Sequence, residues 1–276
     1  MKQFISSKDN EKIKNIKKLE DKKFRNKTGL YIVEGIKIVK EAINSMKNIE
    51  FIVYNREILE SINNGKEILE IIDKIEDINI IEVPKEILSY VTDTISPQGI
   101  IAVLEMEKKN ILDYLSLNKQ EGFLIVDRVQ DAGNFGSIIR SCNAFNIKNI
   151  ICIKGTVDPF MNKVVRSTMG GILRTNIFEV DESNVEDLVI NLKNKEYNII
   201  TTALYDSIDL RIAISENKIN EKTVFVVGNE ANGVSEVFQK NSDLKVKIPM
   251  QKDAESLNVA MATSIVLYEQ YLATNK

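Results

Sequence analysis

Histidine is absent from all 276 residues. Ser-His-Asp and Cys-His nucleophilic machinery is therefore excluded, as is zinc held by imidazole. Acid–base work must fall to carboxylates, lysine, tyrosine, arginine or the substrate itself. Cysteine is almost as scarce. Cys142 and Cys152 show neither metal-ligand spacing nor a disulfide framework, and read as buried, reduced thiols. No metal is expected. With only 4 prolines, 43% hydrophobic and 28% charged residues, the composition is that of an ordinary globular protein. No apolar run reaches the length of a membrane span, and the opening MKQFISSKDN is too polar for a signal peptide. A cytoplasmic location is expected. Neither GxGxxG after the first strand of the second half nor GxxxxGK[ST] anywhere is present, which argues against a conventional dinucleotide site or P-loop.

What is there begins with a local basic arm. Net charge is −3, yet residues 8–27 hold Lys8, Lys12, Lys14, Lys17, Lys18, Lys22, Lys23, Arg25 and Lys27 against Asp9, Glu11, Glu20 and Asp21. A basic arm on an acidic body suits contact with phosphates by one face, although a solvated helix would look the same. After it, strand-like LYIVEG, a helix from Ile36, a strand IEFIVYN, a helix near Glu57 to Ile62 and strands at 79–83 and 99–105 alternate. Pro84 falls where the first turn of a helix tolerates it. The polar stretch 107–121, with one apolar patch at Ile111 to Leu117, reads as a linker between domains 1–106 and 122–276. In the second half, strands are expected at 123–127, 149–153, 176–180, 198–203, 223–227 and 244–248. Helices are expected near 135–145, 160–172, 184–195, 234–240 and 257–272. This alternation predicts a mostly parallel sheet covered on both faces.

Three strand–loop–helix segments carry the chemistry: DRVQDAGNFGSIIRSCNAF (from Asp127), VVGNEANGVS (Val226 to Ser235) and IPMQKDAESLNVAMA (Ile248 to Ala262). The first follows the strand FLIVD and places Gly133, Asn134 and Gly136 in a loop, with Arg140 in the helix beyond. Polar, glycine-bearing loops at the carboxyl ends of strands are where open α/β sheets bind ligands, and an arginine there points at a phosphate or a sugar. Gly228 ends a strand, where a missing Cβ serves either a ligand's approach or a structural turn. Glu230 has the alternative role of an acid near the amino end of the helix at about Ser235. Ser256 has that of capping the last helix, although Val259 stands where a capping box needs Glu or Gln. Asn258 has poor helix propensity and no obvious structural duty.

In order and spacing, these strings resemble the three motifs of the SpoU-type RNA ribose 2′-O-methyltransferases of the knotted SPOUT superfamily. The resemblance runs from about Gly122 to the end, and the first half, with ISSKDNEKIKNIKKL and FRNKTGLYIVEG, resembles the family's RNA substrate-binding domain. Ala132 stands where the family commonly has proline, so a stiff turn residue is lost but no functional group. The resemblance implies a C-terminal parallel-sheet α/β domain with a deep trefoil knot, preceded by a smaller α/β substrate-binding domain. It also implies a homodimer whose knotted domains complete each other's RNA site. S-adenosylmethionine would be bound at Ala203, Gly228, Ile248 and Leu257, of which Ile248 and Leu257 pass as core residues by pattern.

Methyl transfer to a ribose 2′-hydroxyl is a displacement at a sulfonium methyl carbon, so positioning is the main task. The family's proposed catalytic residue corresponds to Arg140, with Asn134, Glu230, Ser256 and Asn258 orienting it and the ribose. Guanidinium stays protonated in proteins, which favours Arg140 as a holder of phosphate and polariser of the 2′-oxygen. The proton acceptor stays open among a phosphate oxygen, water and a transiently deprotonated guanidinium. Lys22, Lys23 and Arg25 in the first domain, and Lys163 and Arg166 in MNKVVRSTMGG, are candidate RNA contacts. Ribosomal RNA is favoured over transfer RNA because the first domain resembles that of rRNA-directed members. The competing readings are a catalytically silent RNA binder of the same fold and a small-molecule enzyme of the doubly wound class.

Overall fold

A computed structural model describes residues 2–92, 94, 96–117, 121–251 and 253–274. By its contacts the chain divides into two units, Met1–Glu107 with Phe160–Leu173, and Lys108–Pro159 with Arg174–Lys276.

The first unit runs β1 (Lys2–Phe4), α1 (Glu11–Lys18), α2 (Lys22–Thr28), β2 (Leu30–Glu34), α3 (Ile36–Asn44), β3 (Ile49–Tyr54), α4 (Arg56–Ser61), α5 (Gly65–Lys74), β4 (Asn79–Glu82), α6 (Lys85–Val91) and β5 (Ile100–Glu105). Its sheet has the order β1-β4-β3-β5-β2; β1, β4 and β3 are parallel, and β5 is antiparallel to both its neighbours. The basic arm is two helices, because Asp21 starts a new one: its carboxylate accepts from the Phe24 N–H at 2.9 Å. β1 and α5 go beyond the expected elements, although α5 buries Ile68, Leu69 and Ile72 along one face. Pro84 is the residue before α6.

The second unit continues with α7 (Ile111–Ser116), β6 (Phe123–Asp127), α8 (Ala132–Ala144) and β7 (Asn149–Ile153). α9 (Asn162–Ser167) then belongs to the first unit, where it packs on β2 and Phe160 meets Tyr31 with ring centroids 4.9 Å apart. The chain returns through β8 (Asn176–Val180), α10 (Val185–Asn194), β9 (Asn198–Thr202), β10 (Ile208–Asp209), α11 (Leu210–Ser215), β11 (Thr223–Gly228), α12 (Glu236–Asn241), β12 (Leu244–Lys247) and α13 (Val259–Thr274).

Two boundaries differ from the sequence reading. The expected linker contains α7, whose Ile111 and Leu115 are buried in the second core with Phe123, Phe178 and Phe238; its residues 118–120 lie outside the described residues. Phe160–Leu173, expected in the second domain, belongs by contacts to the first.

All seven strands of the second sheet are parallel, in the order β10-β12-β9-β11-β6-β7-β8. Alternation along each strand divides the two faces. Phe123 and Ile125 of β6 and Val224 and Val226 of β11 face the core shared with α7, α10 and α12. On the other side α13 packs on α8 and β11. From β6 the chain moves outward through β7 to β8, then crosses to β9 and reaches β11 beside β6. The crevice between β6 and β11 is therefore the switch point where such sheets bind ligands. A second feature lies at β12, which sits between β9 and β10. Residues 203–207 arc from one flank of β12 to the other at the level of Val246, whose carbonyl accepts from the Ala203 N–H at 2.9 Å.

Candidate active site

The site grows out of the two strand ends that face each other in register, Gly228 against Asp127. After β6 the chain turns at Asp131, whose carboxylate caps α8 by accepting from the Asn134 N–H at 2.7 Å. The helix thus starts at Ala132, so Gly133, Asn134 and Gly136 are in its first turns and not in a loop. After β11 a tight turn closes on itself, with Asn229 N–H to Gly233 O at 3.0 Å and Gly233 N–H to Asn229 O at 2.9 Å.

Glu230, at the tip of that turn, reaches across to the amino end of α8. Its carboxylate accepts from Asn134 Nδ2 at 2.9 Å and from the Gln130 and Asp131 N–H groups, each at 3.3 Å. The acid therefore serves α8 and not α12, the helix nearest in sequence. Burial pushes the Glu230 carboxyl upward, but hydrogen bonds from Asn134 and from the backbone outweigh it and hold the group below the usual carboxylate range. Glu230 is an ionised acceptor. It is poorly suited to act as a base.

Asn258 completes a chain of three. Its Nδ2 donates to Asn134 Oδ1 at 2.9 Å, and its Oδ1 accepts from the Ala260 N–H at 2.9 Å, capping α13. This corrects the reading of the last helix: Asn258 is the cap and Ser256, exposed, is not.

A cavity of about 700 Å³ opens beside this relay at the carboxyl ends of β9, β11 and β12. Ala203, Gly228, Ile248 and Leu257 all line it, as do Glu230, Ser256 and Asn258. Ile248 is half-buried and Leu257 is 38% exposed, so they are wall residues and not core. Leu204, Tyr205 and Met250 also line the cavity; no sequence motif marks them. Gly228 is needed for a different reason from ligand approach: a Cβ there would lie 2.2 Å from Gly233 C and 2.3 Å from Val234 N. The backbone of its own turn fills that space. The size and mixed apolar and polar lining suit an amphipathic molecule such as S-adenosylmethionine.

Arg140 stands apart. Its side chain is exposed and makes no hydrogen bond or ion pair among the described residues. Six residues beyond Asn134, it lies about 9 Å further along α8 and on a different face. The first-unit candidates divide sharply. Lys22, Lys23 and Lys163 are exposed and Arg166 is half-buried. Arg25, expected at an RNA surface, is 3% exposed, and its Nη1 donates to Leu19 O at 2.6 Å and Glu20 O at 2.8 Å. It ties α1 to α2 and is a structural residue. Among the described residues no cluster of three or more acidic or cysteine side chains is placed to hold a metal, and no helix is long and apolar enough to cross a membrane.

Residues 121–268 match the SpoU rRNA Methylase family, and residues 10–102 match the MRM3-like substrate binding domain. A relative in Bacillus subtilis (strain 168), the 23S rRNA (guanosine(2553)-2'-O)-methyltransferase RlmP, is 32% identical over 97% of this chain and 98% of its own length. The crystal structure of an AdoMet-bound rRNA methyltransferase from Sinorhizobium meliloti superposes with a TM-score of 0.83 at 28% identity, covering 98% of this chain and 97% of that one. The AdoMet complex of the SpoU methyltransferase AviRb from Streptomyces viridochromogenes shares the fold, with a TM-score of 0.81 at 23% identity over 95% of this chain and 97% of that one.

Proposed function

The chain belongs to the SpoU rRNA methylase family, and from that premise we propose that it methylates a ribose 2′-oxygen in ribosomal RNA with S-adenosylmethionine bound at the cavity described above. The observation that carries the reading is the Asn258–Asn134–Glu230 relay, joining all three motif segments at the wall of the cavity. Bound there, S-adenosylmethionine supplies a methyl group on a positively charged sulfur. Ala203, Gly228, Ile248 and Leu257 would hold it, and its methyl would be the group passed to the ribose 2′-oxygen, whose proton would go to water or an RNA phosphate oxygen.

The relay fixes Asn134 so that its amide faces a known direction, and Ser256, exposed on the same wall, is free to meet the ribose. Arg140, with no protein acceptor among the described residues, is assigned to the RNA phosphate and the 2′-oxygen. The arc 203–207 around β12 is where we place the family's trefoil knot.

A homodimer suits the remaining facts. α13 has one charged residue, Glu269, in 16, and leaves Leu257 just before it and Met261, Tyr268 and Leu272 exposed. An apolar face of that kind calls for cover. A second copy seated on α13 would bring Arg140, on the adjoining α8, to a site completed by both chains. Lys22, Lys23, Lys163 and Arg166 are the proposed phosphate contacts of the first unit, and the protein is placed in the cytoplasm with its RNA. The guanosine named for the Bacillus relative is the first nucleotide to examine.

The test is transfer of labelled methyl from S-adenosylmethionine to ribosomal RNA by the purified chain. Label in an alkali-resistant dinucleotide, lost with Arg140→Ala, is expected. Cofactor binding without transfer to any ribosomal RNA would overturn the reading in favour of a silent RNA binder.

A further inference from the structure

Glu230 is not alone in tying the turn after β11 to the segment after β6. Asp127, fully buried at the end of β6, accepts from Arg128 Nε at 2.9 Å through Oδ1 and from the Ser235 N–H at 2.6 Å through Oδ2. The Arg128 carbonyl accepts from Asn229 Nδ2 at 2.8 Å. On its other side the Arg128 N–H donates to Thr156 Oγ1 at 3.1 Å, and that hydroxyl donates to Val126 O at 3.1 Å. Three loops, after β6, β7 and β11, thus meet at two adjacent residues.

Arg128 sits at φ +61°, a left-handed conformation that a non-glycine residue keeps only where its surroundings over-determine it. Glycine would adopt that backbone without strain. An arginine there at a conformational cost points to a need for its side chain. The stem has been given room: Gly155 lies beneath it, and a Cβ on Gly155 would come within 3.0 Å of Arg128 Cγ.

Neither Asp127 nor Arg128 lines the cavity. The turn that does line it closes itself through Asn229 and Gly233, and Gly228 is held in the ladder beside Asp127. The cavity wall therefore keeps its shape without the pair. What the pair adds is the registration of that turn against the amino end of α8, which is the distance between Glu230 and Asn134.

We propose that Asp127 and Arg128 form a brace of positioning residues that sets Glu230 against Asn134 for methyl transfer. The inference rests on the reading of Glu230 as a site residue, and its test separates the two.

Turnover, RNA KM and cofactor affinity would be measured for Arg128→Gly, Asp127→Asn, Glu230→Gln and the double variant Arg128→Gly/Glu230→Gln. The acceptor is ribosomal RNA from cells lacking the gene, and calorimetry gives the cofactor Kd. Arg128→Gly suits the local backbone, so folding is not at risk, and its thermal midpoint checks this. The expected result is a kcat about tenfold lower in Arg128→Gly and in Asp127→Asn, the size of one charge-assisted hydrogen bond. Cofactor Kd and RNA KM stay near wild type, and the double variant is no slower than Glu230→Gln alone, because a brace acting through Glu230 has nothing left to position. A wild-type kcat in Arg128→Gly overturns the brace, as does a double variant whose loss is the product of the single losses. A wild-type kcat in Glu230→Gln overturns the site reading first and the brace with it.

Discussion

Because the Ala260 N–H donates to Asn258 Oδ1, the Asn258 amide must turn its Nδ2 toward Asn134. Asn134 must then present Oδ1 to Asn258 and Nδ2 to Glu230. One capped helix end orients three side chains, since an amide has one donor side and one acceptor side. Asn134→Asp breaks the sequence by setting two carboxylates against each other, a repulsion that raises the pKa of one of them and is relieved as the pair takes up a proton at lower pH. Its turnover is expected to fall about 100-fold at neutral pH, as for a misplaced reacting group. Part is regained as pH is lowered, so its pH–rate profile slopes opposite to a deprotonation requirement; a flat profile at wild-type rate would contradict the relay. In the wild type the sign runs the other way. Glu230 is held below its ordinary range, so its stabilising contribution is complete above the unfolded value of about 4.3 and is lost as pH falls through the lower native one. Thermal stability scanned from neutral to acid pH should show this loss only in strongly acid solution, and Glu230→Gln should lack that component.

At the scale of elements, much of the architecture is legible in the chain and the reasons for the exceptions are local. The six principal strands of the second sheet fall where short apolar runs put them, because burial on both faces leaves few polar residues in a strand such as Phe123–Asp127. β10 and α11 carry too short a pattern to be seen. α8 starts earlier than its glycines suggest because Asp131 caps it. The brace residues escape notice for a related cause: Asp127 ends an apolar strand and reads as a boundary, although it is fully buried. At Gly228 the backbone favours the second of the two roles its sequence allows, the structural turn. Gly228→Ala would press a methyl group on backbone that cannot give way; a loss of about 2–4 kcal/mol by chemical denaturation, with loss of cofactor binding, is expected. Unchanged stability would show that the turn adapts. The basic arm divides in the same manner. Lys22→Ala and Lys23→Ala should each reduce the slope of RNA affinity against salt by about 1 without altering stability. Arg25→Ala should instead lower stability by about 1.5–3 kcal/mol, because it removes charged hydrogen bonds to two carbonyls. An Arg25 variant that lost only RNA affinity would reverse this assignment.

For the whole molecule, the family and the order of its three motifs are readable from sequence because each motif is a contiguous string that folds into one strand end. What joins the strings, the arc around β12 and the relay across three loops, depends on contacts between residues far apart in the chain, Ala203 with Val246 in the arc and Asn134 with Glu230 and Asn258, 96 and 124 positions away, in the relay, and no local pattern encodes those. Arg140 poses the question of assembly most sharply, being exposed on a face of α8 different from that of Asn134. A pairing through α13 predicts that Met261→Asp with Tyr268→Asp gives a folded monomer by sedimentation, with cofactor binding kept and methyl transfer lost. A variant that stayed dimeric, or a monomer with full activity, would remove the shared site.

The central claim, ribose methylation of ribosomal RNA, meets its most direct test in a map of 2′-O-methyl positions across total ribosomal and transfer RNA, from cells with the gene, without it, and complemented by Arg140→Ala. The expected result is one 2′-O-methyl position in ribosomal RNA that is present with the gene, disappears on deletion and does not return with Arg140→Ala. Identical maps in all three strains would contradict the claim, and a lost position in transfer RNA would replace the substrate.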